Sequence, residues 1–373
     1  MQALLTLNTG SSSIKFRLFG LTEALPFLLG GKVTDIGGVP VFQVHEEEHS
    51  RDETHELPKD STHESALAYV LDWLMEHQQG WVLASAAHRI VHGGERYSAP
   101  VRLDDEAMQY LQSLCPLAPL HQPHNLVAVE ALRKYNKDLP QYGCFDTAFH
   151  ARHDAIRASF AVSEAIRAQG VKRYGFHGLS YDWITHCLRR EHPRLAKGRV
   201  VAAHLGNGAS LCAMLNGESV DTTMGMTALD GLPMGTRCGA IDAGAVIFMQ
   251  RELGLSVDAL EKVLYEESGL KGLSGISNDV KTLSESLEPR AKQALDYFVW
   301  KCRQYIAAMA VTLGGMDALV FTGGIGENAV HIREQIVSGL SFLPAFETLV
   351  IPANEERSMA QSIQEHFIHE VSV

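Results

Sequence analysis

The chain opens on a short apolar run, Leu4 to Leu7, that stops at Asn8. A tight polar turn follows, Asn8-Thr9-Gly10-Ser11-Ser12-Ser13. Ile14, Phe16 and Leu18 then alternate with Lys15 and Arg17, the period of two that marks a strand. The pattern predicts strand, glycine-serine turn, strand. Lys32 to Val44 reads as further short strands with a turn at Gly37-Gly38, and Glu46 to Ser61 as a polar loop. Ala66, Leu67, Val70, Leu71, Leu74 and Met75 recur at helical spacing, with Gly80 as a stop. Trp81 to Ala87 predicts a buried strand that leads into His88-Arg89-Ile90-Val91-His92-Gly93-Gly94. A short helix capped by Asp104 or Asp105 and ending near Leu114 follows, then a helix from Asn125 to Tyr135 and a strand from Tyr142 to Phe149. Helices are predicted at Ser163–Gln169, Ser180–Arg190, Asp258–Glu267, Pro289–Leu313 and Asn354–Phe367, and strands at Ala318–Phe321 and Leu349–Ile351. Strands separated by helices indicate an α/β architecture with a mixed or parallel sheet.

The opening pattern recurs at Val200. VVAAHLGNGASLCAML is an apolar run, a turn at Gly206-Asn207-Gly208, and a second apolar strand. Laying the first hairpin on the second, with Gly10 on Gly206, puts Asn8 on His204 and Leu18 on Met214. So long a period is not a solenoid. It is what a duplicated domain presents.

Composition narrows the function classes. The 373 residues suffice for two cored domains. Apolar content of 46% and charged content of 20% are ordinary for a globular protein. A net charge of −12 argues against a nucleic-acid partner and requires a local basic cluster for any anionic substrate. Six scattered cysteines, with no CxxC and no zinc spacing, point to free thiols in a reducing compartment. The N-terminal apolar run is too short for a signal peptide, and no stretch approaches the roughly 20 apolar residues of a membrane span. A cytoplasmic protein is expected. His45, His49, His55 and His63 lie in a polar stretch and read as solvated surface.

Three glycine turns follow strands: GSSS at 10–13, GNG at 206–208 and GGIGEN at 323–328. None matches GxxxxGK[ST], so a P-loop is excluded by pattern. Gly10 lets backbone N–H groups converge, and Ser11 and Ser13 add hydroxyl donors beside Lys15, a set that suits phosphate oxygens. The plain alternative is an ordinary hairpin turn. GGIGEN reads as exposed N–H groups ahead of a helix from Glu327 to Ser338, or as a simple strand-to-helix turn. Arg89 and Arg237 lie in glycine-bearing loops, and a guanidinium forks onto carboxylate or phosphate. His177 sits between Phe176 and Gly178, and Asp146 follows an apolar strand. Singly, each has a structural explanation: surface arginine, satisfied histidine, helix cap. Jointly they point to phosphoryl transfer, with Asn8, Asp146 and Glu355 as oxygen donors for magnesium.

NTGSSSIK, HRIVHGGE, LAPLH, FDTAFH, RYGFHG, HLGNG, DTTMGMT, MGTRCG, TGGIGEN and IPANEE stand in the order of the acetate kinase (acetokinase) family, which the chain resembles over nearly its whole length. The resemblance implies a duplicated, actin-like (ribonuclease H-like) α/β ATPase fold with mixed sheets and an interdomain active-site cleft. The implied domains are 1–148, completed by a terminal helix at about 356–373, and 149–355, which binds nucleotide. It implies reversible phosphorylation of acetate by ATP, giving acetyl phosphate and ADP, with Mg2+ (or Mn2+), in a homodimer. Asn8 and Glu355 match the magnesium positions. Lys15, the loop His204, Leu205, Gly206, Asn207 and Gly208, the segment Asp279, Val280 and Lys281, and the loop Gly324, Ile325, Gly326, Glu327 and Asn328 match the nucleotide positions. Arg89 matches the substrate-carboxylate position and Asp146 the catalytic acid. His177 and Arg237 match the residues that stabilise the transition state, and Val91, Leu120 and Phe176 the walls of the acyl pocket. A carboxylate acceptor is already ionised at pH 7 and needs no base. Asp146 is therefore expected to orient Arg89 or a magnesium-bound water.

The chain departs from the family pattern in places. Ala228 stands for a usual proline, Tyr181 for a usual histidine, Gln122 for a usual asparagine and Lys281 for a usual arginine, and the run Cys238 to Ala243 lacks its proline. The stretch from Ser338 to Ile351 is much shorter than the family's. Two other readings stay open: the same chemistry on propionate or another short-chain acid, and a non-catalytic nucleotide-binding relative.

Overall fold

A computed structural model describes residues 1–46, 51–78, 80–119 and 121–371. The chain divides into two compact units, Met1–Ala148 with Asn354–Val373, and Phe149–Ala353.

Unit 1 is built on an eight-stranded sheet. Its strands are β1 (Gln2–Thr9), β2 (Ile14–Gly20), β3 (Phe27–Thr34), β4 (Val41–Glu46), β5 (Arg51–Glu56), β6 (Val82–Ile90), β7 (Val101–Arg102) and β8 (Gln141–Phe145), in the order β5-β4-β3-β2-β1-β6-β8-β7. β1 is central and buried on both faces, so its apolar residues Ala3, Leu4, Leu5 and Leu7 do not alternate with exposed ones. β1 to β5 run antiparallel in sequence, while β6 and β8 lie parallel to β1. β2 alternates as expected, with Ile14, Phe16 and Leu18 buried and Lys15 exposed. Phe16 stacks on Phe42 at 6.0 Å and joins a core closed by Leu67, Val70, Leu71 and Leu74 of the helix His63–Glu76. The helix Glu355–Val371 packs on β1 and β6 and buries Met359, Ala360 and Ile363.

Three expectations change in unit 1; one is the strand read as Tyr142–Phe149, which spans Gln141–Phe145 and gives way to a helical turn at Ala148–His150. The stretch read as a loop from Glu46 to Ser61 contains β5, paired antiparallel with β4. β5 is an edge strand, and its charged residues read as loop although they suit a solvated edge. The strand read as Trp81–Ala87 runs on to Ile90, so His88 and Arg89 are strand residues rather than loop residues. His88 pairs with Leu7 and Gly143, and its buried ring meets Gln141 at 2.7 Å. With the Gln141 amide turned to satisfy Val129 O and Arg133 N, that amide donates to His88 Nε2. His88 is thus a buried neutral imidazole.

Unit 2 carries a five-stranded sheet: β9 (Arg199–Leu205), β10 (Ala209–Leu215), β11 (Glu218–Thr222), β12 (Ala318–Thr322) and β13 (Glu347–Val350), in the order β11-β10-β9-β12-β13. β9 to β11 are antiparallel in sequence, and β12 and β13 run parallel to β9. The strands β3-β2-β1-β6-β8 of unit 1 have the same order and directions, so the repeat extends well beyond one hairpin. The helix Pro289–Leu313 covers β9, β10 and β11, and the helix Gly178–Glu191 packs on β9. The stretch between the helix Val330–Ser338 and β13 is a brief turn, and β13 is a mostly exposed edge. No helix among the described residues is long and apolar enough to cross a membrane.

The register refines the overlay of the two hairpins. Asn8 pairs with Lys15 and Leu5 with Leu18; His204 pairs with Ser210 and Val201 with Ala213. The second turn is one residue shorter. The counterpart of Leu18 is therefore Ala213, not Met214, and that of Lys15 is Ser210.

Phe16→Ala is expected to cost about 3–5 kcal/mol, the range for emptying a packed aromatic site. Urea unfolding followed by fluorescence should show a lower midpoint for unit 1. Burial pushes the His88 pKa down to about 4, below its unfolded value. A depressed folded pKa means the unfolded state binds the proton first. Stability is therefore present above the unfolded pKa, near 6.5, and is lost as pH falls toward 4, with roughly 3 kcal/mol from this group. Unfolding midpoints measured across that window should fall for the wild type and fall less for His88→Gln.

Candidate active site

Three parallel strands of unit 1 carry polar residues at or just past their ends. β1 closes with Asn8-Thr9, β6 with Arg89-Ile90, and β8 hands on to Asp146. In open α/β sheets such carboxyl ends are where ligands bind. The Arg89 Nε donates to both Asp146 oxygens at 3.1 Å, and Nη2 donates to Oδ2 at 2.7 Å. Arg89 Nη1 donates to Asn8 Oδ1 at 3.2 Å and lies 3.3 Å from Glu355 Oε2. Asn8 Nδ2 donates to the same Glu355 oxygen at 3.1 Å. Asn8, Arg89, Asp146 and Glu355 thus form one network. Asp146 is 1% exposed, while a fifth of the Arg89 side chain reaches the surface.

Charge decides the character of this cluster. Burial pushes Asp146 above the ordinary carboxylate range, against the pull of Arg89. Burial would lower Arg89, but the Asp146 and Glu355 carboxylates overturn that and hold it above the usual arginine range. Asp146 accepts N–H bonds on both oxygens, as a carboxylate does. Two carboxylates face one guanidinium, so the four-residue network carries net negative charge. The donors of Asn8, Asp146 and Glu355 are hard oxygens, a set that fits a magnesium ion retaining some of its waters.

Residues behind the network fix its strand ends. The buried Asn125, on the helix Gln122–Tyr135, accepts from Val91 N at 3.0 Å and donates to Thr9 O at 2.7 Å. It ties the end of β1 to the end of β6. Gln122 grips the backbone of His92 from both sides, accepting from its N–H and donating to its carbonyl, each at 3.0 Å. Thr147 accepts from Gly93 N at 3.0 Å. Sequence reasoning gives none of these three a functional role; a buried amide on an apolar helix face is the signal that could have found two of them.

The glycine-serine turn is closed by Gly10 N–H donating to Ser13 O at 2.8 Å. Ser11 and Lys15 are exposed and Ser13 half-buried. His63 is not plain surface: it is half-buried, 2.9 Å from Gly10 O, and its ring lies 4.8 Å from that of His124. It braces the turn, which its polar surroundings in sequence hid. Val91 is buried. Leu120 and His49 lie outside the described residues.

In unit 2, His177 stands at the N-terminus of the helix Gly178–Glu191 with φ 60°, ψ 23°. That left-handed conformation is uncommon for a side-chain-bearing residue and marks a constrained position. The preceding Gly175 also has positive φ, and a Cβ there would meet His150 and Thr222 at 2.6 Å. His177 Nδ1 lies 2.9 Å from Ser210 Oγ, and its ring stacks on His204 at 4.3 Å. His204 Nδ1 is 2.8 Å from Ser180 Oγ. A methyl on Gly208 would lie 3.4 Å from His177 Nε2 and 3.8 Å from Arg237 Nη1, so both groups face the GNG turn. Arg237 is steadied by Nη1 donating to the Ala228 carbonyl at 3.1 Å. Asn207 O accepts from Gly235 N, and Asn207 Oδ1 from Asn278 Nδ2, each at 3.0 Å.

GGIGEN is itself a helical turn, Gly323–Asn328, followed by the separate helix Val330–Ser338. Gly323, at φ 78°, makes the switch: a Cβ there would meet the Leu205 backbone at 2.7 Å. This replaces the expected single helix from Glu327. A methyl on Gly206 would lie 3.9 Å from the Gly324 nitrogen, so the second and third glycine turns adjoin. Glu327 accepts from Gly323 N and Ala353 N, each at 2.9 Å, and Asp279 caps the helix Val280–Glu285 through Thr282 N at 2.8 Å. Those two carboxylates hold the fold. Leu205, Gly326, Val280 and Phe176 are buried. Lys281, Ile325 and Asn328 are exposed or half-buried.

The acetokinase family model matches residues 3–368. Acetate kinase of Methylocella silvestris is 44% identical over 360 residues, 92% of this chain and 87% of that protein. A crystal structure of Porphyromonas gingivalis acetate kinase, 30% identical, superposes with a TM-score of 0.84 over 97% of this chain and 98% of that one. One of a propionate kinase from Francisella tularensis, 31% identical, gives 0.90 over 97% and 99%. The fold is a duplicated α/β fold with mixed sheets, a five-strand order repeated in both units. With a family match along almost its whole length and a curated relative 44% identical over 92% of it, the chain belongs to the acetokinase family.

Proposed function

We propose that this chain transfers the γ-phosphoryl group of ATP to the carboxylate of acetate, reversibly, giving acetyl phosphate and ADP. The observation that carries this is the Asn8–Arg89–Asp146–Glu355 network, a partly exposed guanidinium held by oxygen donors at parallel strand ends. Family membership supports the same chemistry.

A carboxylate oxygen of acetate attacks the γ-phosphorus. The bond from phosphorus to the ADP oxygen breaks, and its electron pair stays on ADP. Acetate is ionised at neutral pH, so no proton is removed. Asp146 forks Arg89 into place, and the exposed part of Arg89 meets the acetate carboxylate. Val91, Leu120 and Phe176 are assigned to the methyl end. Arg237 neutralises charge on the phosphoryl oxygens in flight, and His177 stabilises them by hydrogen bonding. Asn8 and Glu355 would hold magnesium (or manganese), which supplies charge neutralisation on the phosphates when bound. Ser11, Ser13 and Lys15 are assigned to phosphate contacts. Unit 2 is assigned the nucleotide, through His204 to Gly208, Asp279 to Lys281 and Gly324 to Asn328. Fully buried or capping members of these runs offer backbone rather than side chain.

The working state is a homodimer. Support comes from an apolar set that unit 2 leaves exposed: Ile241, Ile247, Phe248, Leu253 and Val257, each 45% or more accessible. The proposed location is the cytoplasm, which suits six free thiols. A propionate kinase is the second reading, favoured by the Francisella tularensis likeness; pocket discrimination of one methylene is worth only about 1–3 kcal/mol.

A hydroxamate assay with ATP and magnesium across acetate, propionate and butyrate is expected to give its highest kcat/KM with acetate. A higher value for propionate would move the assignment to the second reading, and no product with any acid would end both. Arg237→Ala is expected to lower kcat by about 10²–10³-fold, the value of a donor aimed at transition-state charge. Arg89→Ala should instead raise the acetate KM at least about tenfold, since a charge-assisted bond to the substrate carboxylate is lost. Near-normal turnover in both Arg237→Ala and Asp146→Asn would overturn the roles assigned to those residues.

A further inference from the structure

Tyr181 is among the largest fully buried side chains in the molecule, yet its ring ends in a hydroxyl. Its Oη lies 2.5 Å from Ser210 Oγ. Ser210 is a fully buried serine near the start of the apolar strand β10. Ser210 Oγ lies 2.9 Å from His177 Nδ1. Three polar groups from two elements and a turn therefore make a short chain that ends on the histidine facing the GNG turn.

Counting protons gives this chain a direction. A buried O–H must find an acceptor. Burial holds the Tyr181 phenol well above its usual pKa, so it keeps its proton. Its side-chain partner among the described residues is Ser210 Oγ, so Tyr181 donates and Ser210 accepts. Ser210 has one proton of its own and directs it to His177 Nδ1. An Nδ1 that accepts leaves the ring proton on Nε2. Nε2 is the nitrogen turned to the GNG turn, where Arg237 Nη1 also points. The remaining neighbours fit. His204 stacks on His177, its own Nδ1 occupied by Ser180, and the left-handed backbone at 177 fixes where the ring begins.

We propose that Tyr181, acting through Ser210, is a positioning residue that locks His177 in its Nε2–H tautomer, so that the neutral ring presents a hydrogen-bond donor to the transferring phosphoryl group. The tautomer stands on the geometry of unit 2 alone; the role of the donor rests on the function proposed above. Tyr181 occupies one of the positions where the chain departs from the family pattern, and the hydroxyl gives that departure a task.

The test is tautomer-resolved NMR on the whole chain. Protein labelled with ¹⁵N-histidine is studied by long-range ¹H–¹⁵N correlation at a pH about one unit above the ordinary histidine pKa. The His177 signals are assigned by their loss in His177→Gln. The expected wild-type pattern is protonated Nε2 and bare Nδ1. Tyr181→Phe is expected to mix the tautomers and to lower kcat about tenfold, the weight of one hydrogen bond, with both KM values near wild type. Ser210→Ala should act alike, and Ser210→Thr should restore tautomer and turnover. Should Tyr181→Phe fail to fold, the two Ser210 variants decide. A wild-type His177 carrying its proton on Nδ1 overturns the proposal. So does a folded Tyr181→Phe or Ser210→Ala protein with unchanged tautomer and kcat. A locked tautomer in a protein that phosphorylates no acid upholds the lock and removes only the functional reading.

Discussion

A guanidinium mostly withdrawn from water cannot stand without partners, and unit 1 is arranged around meeting that demand. Arg89 needs carboxylate and amide oxygens in a fixed fork. They come from the ends of β1 and β8 and from the start of the last helix. Each partner must arrive at the right height. The parallel registers of β1 with β6 and of β6 with β8 set those heights, and Asn125 ties two of the strand ends together. Losing one partner of such a pair leaves a buried charge, which is costlier than losing a surface bridge. The same partners that hold the arginine bring one carboxylate more than it needs. Structural satisfaction and the proposed affinity for a cation draw on one set of side chains.

Unit 2 solves a related problem with hydroxyl and backbone partners. Its two stacked histidines each meet a serine hydroxyl, and a glycine turn without side chains lets them approach the backbone closely. Positive charge is brought by Arg237, whose Nη1 rests on a backbone carbonyl, where the guanidinium of Arg89 rests on carboxylates.

Much of this was legible in sequence where a local pattern sufficed. The two hairpins showed because their turns are glycine-rich and their strands apolar. Asn8, Arg89, Asp146 and Glu355 could be nominated from motif order, although nothing local says that a residue at 355 bonds one at 8. β5 was hidden because an edge strand needs no apolar face. The length of β6 was hidden because His88 and Arg89 are polar, and only the strands on either side show that they continue the sheet. The internal repeat was misplaced by one residue beyond its turn, since turn length sets register and an overlay without a gap cannot see it. Ser210 is a single polar residue in an apolar strand, and Asn125 closes a polar run at the head of an apolar helix. The pattern marks the serine as odd, and only their partners give the two a purpose.

The last helix belongs to the first unit, and this imposes an order of assembly. Unit 2 is continuous in sequence and can form as soon as Ala353 has been synthesised. Unit 1, begun first, waits through some two hundred residues of intervening chain for Asn354 and Glu355, which reach back to Arg17 and Arg89. Until then the Asn8 amide and the Arg89 guanidinium lack one of their anions. Domains that fold during synthesis generally do so as units, from the N-terminus onward. In this chain the N-terminal unit is the last to be completed, and an incomplete chain arrested before residue 355 is a protein whose Arg89 network lacks a carboxylate.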